Sequence, residues 1–188
     1  RLYGGKPGDD TTIAVARVRN RHTVNLVVGP PEDKADDIRM MNLFFSENGT
    51  KIVCGGTTSN VVSRYLGQPI VASLSYPDPE VPPISTIKGV DLTTEGVVTL
   101  AKVLTYAKDF IDQAKLASVW ITQKDGASLI ARELFENATD VNFFVGRAIN
   151  PAHQNPNLPI NFAIKQQLIT ELAGCLEKMG KHIRLSYF

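Results

Sequence analysis

Val24-Asn25-Leu26-Val27-Val28, halted by Gly29-Pro30-Pro31, is the stretch whose reading decides the fold. It is short, almost wholly apolar and closed by turn residues, which is the pattern of a strand buried on both faces. Residues 33–47 follow, with Ile38, Met41 and Phe45 at helical spacing, and Asn48-Gly49 ends that segment as a helix C-cap does. Residues 51–54 make a second short strand, closed by Gly55-Gly56. The order recurs later in the chain. Val141-Asn142-Phe143-Phe144-Val145-Gly146 matches residues 24–29 at four of six positions. It too precedes a proline-containing turn, a helix over about 160–179 stopped by Gly180, and a strand over 182–188. Alternating strands and helices imply an α/β domain with a mostly parallel sheet and flanking helices, built from two βαβ-like units. Any buried strand before a glycine turn also yields such a match, so a shared origin does not follow from it.

The remaining segments fit this frame. Thr57, Thr58, Ser59 and Asn60 supply N-cap residues for a helix bearing Val61, Val62, Tyr65 and Leu66, ended by Gly67. Residues 69–76 and 84–90 read as edge strands, because the proline-rich stretch 77–83 between them cannot lie in a central ladder. A helix is predicted over about 94–109, with Val97, Leu100, Ala101 and Leu104 on one face, and residues 110–122 also read as helical. Asp125 caps a helix with Ala127, Ile130 and Leu134. At the start of the chain, residues 11–19 read as a strand with one face buried. The basic, polar stretch Arg17, Arg19, Asn20, Arg21, His22 marks a boundary between a remnant strand, residues 1–21, and an α/β domain, residues 22–188.

The 188 residues, 43% hydrophobic and 21% charged, suffice for one well-buried domain, or one domain plus a remnant of another. No apolar run approaches the roughly 20 residues of a membrane-spanning helix. A net charge of +1 gives no electrostatic argument for nucleic acid or a membrane surface as partner. Cys54 and Cys175 form neither a disulfide framework nor a metal-type spacing, which, with no signal peptide in view, favours a reducing cytoplasm. The chain opens at Arg1 without Met and is soon in Gly8-Asp9-Asp10-Thr11-Thr12, so it reads as a fragment of something longer.

Two adjacent carboxylates at a strand entrance suit a hard divalent cation such as Mn²⁺ or Mg²⁺. Gly8-Asp9-Asp10-Thr11-Thr12 resembles the last motif of the metal-dependent protein serine/threonine phosphatases, in particular the bacterial branch typified by the sporulation stage II phosphatase. The resemblance covers about the first twenty residues. It implies that Asp9 is a metal ligand of a two-metal centre whose bridging water attacks the phosphoryl group of a phosphoprotein. The other acidic ligands would then lie upstream of Arg1, so this chain alone could not perform that reaction. Asp-Asp after glycine is also a common solvated turn. From about Thr23 on, the chain is similar to the C-terminal extension of some of these phosphatases, in Gly29-Pro30-Pro31, Cys54-Gly55-Gly56-Thr57-Thr58, Thr94-Glu95-Gly96 and residues 146–151. The resemblance carries no activity for that extension; a regulatory or ligand-sensing module is the expectation, and its chemistry rests on the residues.

The residues themselves offer one sharper feature. In Gly55, Gly56, Thr57, Thr58 and Ser59, glycines let the backbone approach a ligand while the helix start and three hydroxyls favour an anion. The segment has neither the lysine of a phosphate loop nor a dinucleotide fingerprint, and glycine and threonine also simply cap helices. Cys54, just before that helix, is either a reactive thiol or, more commonly, a small buried strand residue. The long polar loop 146–159 places Arg147, Asn150 and His153 after a buried strand, where α/β sheets bind ligands. If the turns after Val28, Cys54 and Val145 share one sheet edge, they surround one crevice. Three functions are then open: the regulatory module, a free-standing enzyme or binding domain for a small phosphorylated or carboxylated metabolite, and a ligand-free interaction domain.

Overall fold

The computed structural model describes residues 12, 14–16, 18–73, 81–112, 119–148, 154–155, 158–159 and 162–188. Nine strands are present among them: β1 (Thr23–Val28), β2 (Thr50–Cys54), β3 (Val71–Ala72), β4 (Ser85–Thr86), β5 (Leu92–Thr94), β6 (Asp140–Val145), β7 (Gln154–Asn155), β8 (Leu158–Pro159) and β9 (His182–Tyr187). The helices are α1 (Asp37–Ser46), α2 (Gly56–Leu66), α3 (Val97–Asp112), α4 (Gly126–Arg132) and α5 (Phe162–Lys178). A π-helical turn, Glu133–Asn137, extends α4.

Seven strands form one sheet in the order β3-β4-β5-β2-β1-β6-β9. The five from β5 to β9 run parallel, while β4 is antiparallel to β5 and β3 to β4. Strands added after β1 go first to one side of it and then, from β6, to the other. The strand order therefore reverses between β1 and β6, the place where open α/β sheets characteristically leave a crevice. The small pair β7-β8 forms a separate two-stranded sheet.

Both faces of the central strands are covered, which explains why β1 and β6 are each apolar at four of six positions. Val24, Leu26, Val28, Ile52, Cys54, Val141, Phe143 and Val145 pack with Leu100 and Val103 of α3, Ile130 of α4, and Ile169, Leu172 and Leu176 of α5. On the opposite face Val27, Val53 and Phe144 meet Met40, Met41 and Phe44 of α1 and Val61 and Val62 of α2. The asparagine shared by the two similar stretches has a structural role. Asn25 and Asn142 are register partners, and Asn142 Nδ2 donates to Asn25 Oδ1 at 2.8 Å. Asn25 Nδ2 in turn donates to Asn48 O at 2.9 Å, so the buried amides satisfy one another and a loop carbonyl.

Several sequence expectations change. Within residues 11–19, the described positions 12, 14–16, 18 and 19 form no strand, and Val15 and Val18 are 87% and 99% exposed rather than half-buried. In α1 the buried stripe is Met40, Met41 and Phe44, and Ile38 is exposed. The predicted start of a helix at Thr94 is instead the end of β5, and α3 begins at Val97. Of residues 110–122, read as helical, 110–112 belong to α3 and Val119–Ile121 is a 3-10 turn, while 113–118 lie outside the described residues. In α5, Ile164 is exposed while Ile169 and Leu176 join Leu168, Leu172 and Cys175 inside. Among the described residues no helix is long and apolar enough to cross a membrane.

Candidate functional site

The carboxyl ends of β1, β2 and β5 open onto a pocket of about 440 Å³. Its walls come from three strand-to-helix turns: Val28, Gly29 and Pro30 after β1, Cys54–Thr58 after β2, and Glu95–Val98 after β5. Pro82, Ala148 of the segment after β6, and Lys165 of α5 complete it. The turns after Val28 and Cys54 thus share one crevice with the segment that follows Val145.

Local geometry brings these turns close. Gly55 caps α2 with φ +112°, a conformation that L side chains rarely adopt, and its N–H donates to Thr94 O at 2.8 Å. A Cβ on Gly96 would stand 3.3 Å from Gly55 Cα, so the turns leading into α2 and α3 lie back to back. The starts of both helices consequently border the same space, each carrying the positive end of its dipole. Thr58 fastens the β1 turn to α2, because its buried hydroxyl accepts the Gly29 N–H at 2.9 Å.

Of the residues singled out from sequence, Gly55, Gly56, Thr57 and Thr58 line the pocket. Ser59 lies behind it, buried, with its hydroxyl donating to Gly55 O at 2.9 Å. Arg147 is not among the lining residues: its N–H donates to Phe188 O and its guanidinium lies 5.8 Å from the Tyr187 ring centre. The chain end at β9 draws it away from the crevice. Asn150, His153 and Asp9 lie outside the described residues, and with Asp9 the expectation of a Mn²⁺ or Mg²⁺ ligand. Among the described residues no three His, Cys, Asp or Glu side chains gather where a metal ion would sit.

Cys54 lines the floor of the pocket as a fully buried strand residue. Desolvation pushes its thiol up to about 12, against a weaker opposing contact with the Thr94 hydroxyl at 3.6 Å. A thiol so disposed stays protonated and is a poor nucleophile.

Lys165 is the pocket residue that sequence reading missed. Only 8% exposed, it donates from Nζ to Gly146 O at 2.5 Å and to Ala148 O at 3.3 Å. A Cβ on Gly29 would stand 2.6 Å from that Nζ, so glycine there admits the amine to the β1 turn. Burial pushes the ammonium down to about 8. A signal was present in the sequence. Lys165, Leu168, Ile169 and Leu172 share the i, i+3, i+4, i+7 spacing of one helix face, and a lysine on an apolar stripe marks a buried or functional amine.

The remaining wall is apolar, from Val28, Pro30, Pro82, Val97, Val98 and Ala148. Glu95, exposed, brings its carboxylate within 3.6 Å of where a Gly56 Cβ would stand. This chemistry suits an organic molecule with an apolar body, an anionic group for the helix starts and the lysine, and a donor for Glu95. No protein-family model matches the chain, and no curated protein or solved structure matches it.

Proposed function

We propose that residues 22–188 are a binding domain for a small organic anion, serving as the regulatory, ligand-sensing module of a cytoplasmic metal-dependent protein serine/threonine phosphatase. The observation that carries the ligand half is the pocket itself, where the starts of α2 and α3 and the buried Lys165 border one space of about 440 Å³. That volume and the mixture of apolar walls with few charged groups are typical of sites for small ligands. In this reading β1-α1-β2 and β6-α5-β9 are the two βαβ-like units, with the crevice beside their junction. The phosphatase half is supported by Gly8-Asp9-Asp10-Thr11-Thr12, with Asp9 holding Mn²⁺ or Mg²⁺ in the intact enzyme and a phosphoprotein as substrate.

The two halves are tested separately. Thermal unfolding of the chain is followed with inorganic phosphate, a nucleoside monophosphate, a sugar phosphate and citrate, each at saturating concentration. A ligand at about 100 times its Kd stabilises the fold by about 2.7 kcal/mol, a shift of several degrees. Val98→Glu, at an exposed position on the rim, should abolish that shift and leave the unliganded midpoint unchanged. No shift with any of the four compounds rejects the ligand half. For the other half, a protein joining the family's upstream acidic motifs to this chain should release phosphate from a phosphoserine peptide with Mn²⁺. Asp9→Ala should abolish that release, and an active variant rejects the assignment of Asp9.

A further inference from the structure

The end of the sheet opposite the pocket holds a dense set of contacts that the ligand-binding reading does not use. Arg21 grips Asp140, the first residue of β6, with both arms of its guanidinium: Nε to Oδ2 at 2.9 Å and Nη2 to Oδ1 at 2.5 Å. Asp140 is oriented for this by the Thr139 hydroxyl, which donates to its Oδ2 at 2.7 Å. Two-pronged pairing of this kind fixes direction as well as distance. His22 adds backbone bonds. Its N–H donates to Thr139 Oγ1 at 2.8 Å, and its carbonyl accepts the Thr139 N–H at 2.8 Å. The imidazole reaches Thr50 Oγ1 at 3.2 Å and Glu133 at 3.7 Å.

Arg19 completes the set. The π-helical turn ends with carbonyls that have no helical partner and carry the negative end of the dipole. Arg19 donates to two carbonyls there, Glu136 O and Ala138 O. Lys181 also donates there, to Phe135 O at 2.8 Å and Ala138 O at 2.6 Å. A segment 117 to 119 residues away in sequence thus supplies the cap for that helix. Immediately before it, Val18 is 99% exposed.

We propose that residues 19–22 are a clamped joint, a docking contact between the chain's own arginine-bearing segment and the start of β6, which fixes the direction in which the preceding chain leaves the sheet. The joint is independent of any ligand in the pocket. The two strands it grips, β1 and β6, are those whose far ends carry Gly29 and Gly146.

Limited trypsin digestion of the full native chain tests this, because Arg19 and Arg21 are themselves cleavage sites. Bonds after both should be cut at least about tenfold more slowly than in a free peptide of the same local sequence, since cleavage needs the clamp to open. Asp140→Asn should raise cleavage after Arg21 by roughly threefold to tenfold, with the melting midpoint of the domain nearly unchanged. Arg21→Lys, which keeps the charge but removes the fork at a side chain 79% exposed, should raise cleavage at the Arg19–Asn20 bond similarly. That surface variant still reads the joint if Asp140→Asn fails to fold. Native cleavage at the peptide's rate, or rates unmoved by Arg21→Lys, overturns the proposal.

Discussion

Gly146 and Pro30 lie backbone against backbone: a Cβ on Gly146 would overlap Pro30 O and Gly29 O. These residues follow β6 and β1, the strands between which the strand order reverses, so the glycine lets the two turns close beside the pocket. Gly146→Ala should therefore destabilise the chain by about 3 kcal/mol or more, since the obstacle is backbone and cannot rotate away. Gly174→Ala is the contrasting case. In the interior of α5 its added methyl meets nothing within 4 Å, and it should stabilise by about 0.5 to 1 kcal/mol. Urea unfolding of the two variants separates these outcomes.

The amide pair across β1 and β6 should behave as a unit. Asn142→Ala removes the donor to Asn25 Oδ1 and leaves that oxygen buried without its partner, at a cost of about 1 to 3 kcal/mol. In a double-mutant cycle with Asn25→Val, the combined variant should be less destabilised than the sum of the single changes. Strict additivity would show that the bond contributes nothing.

Lys165 gives the stability a dependence on alkaline pH. Burial holds its folded pKa near 8, below the usual 10.5, so the unfolded chain binds more protons between those values. Stability contributed at this residue should therefore rise with pH above about 8, and below that the full cost of burying the ammonium is present. Between about pH 8 and pH 9.5 the gain of the native chain relative to Lys165→Met should reach about 2 kcal/mol at most. Chemical denaturation at the two pH values measures it, and parallel curves for both proteins would contradict the burial of a titrating amine.

Both thiols should resist alkylation in the folded chain. Desolvation raises Cys54 to about 12 and also raises Cys175, so neither supplies appreciable thiolate near neutral pH. Iodoacetamide at about pH 8 should label each only as fast as the chain unfolds, read by intact mass with and without denaturant. Rapid labelling of Cys54 would restore it as a candidate nucleophile.

Much of the framework was legible because its signals are local. Strands buried on both faces are mostly apolar, so β1 and β6 stand out as short runs cut off by Gly29 and Gly146. The start of α2 shows itself in Gly55-Gly56-Thr57-Thr58, since a turn entering a helix needs those residue types whatever surrounds it. Four of the residues singled out there do line the pocket. By contrast, β5 was hidden, because three residues carry no period and Leu92–Thr94 gains its identity by pairing with β2. The stripe of α1 keeps Met41 but takes Met40 and Phe44 in place of Ile38 and Phe45, as the sheet and not the helix decides which neighbours of Met41 turn inward.

Sequence by itself determined the elements and their alternation, because apolar period, caps and breakers act over a few neighbouring residues. Tertiary structure alone decided what meets across the sheet: Lys165 against Gly29, Arg147 over Tyr187 instead of in the crevice, and Arg21 on Asp140. Those partners are set by the order in which strands take their places, and that order is fixed by packing the two helical layers onto both faces at once.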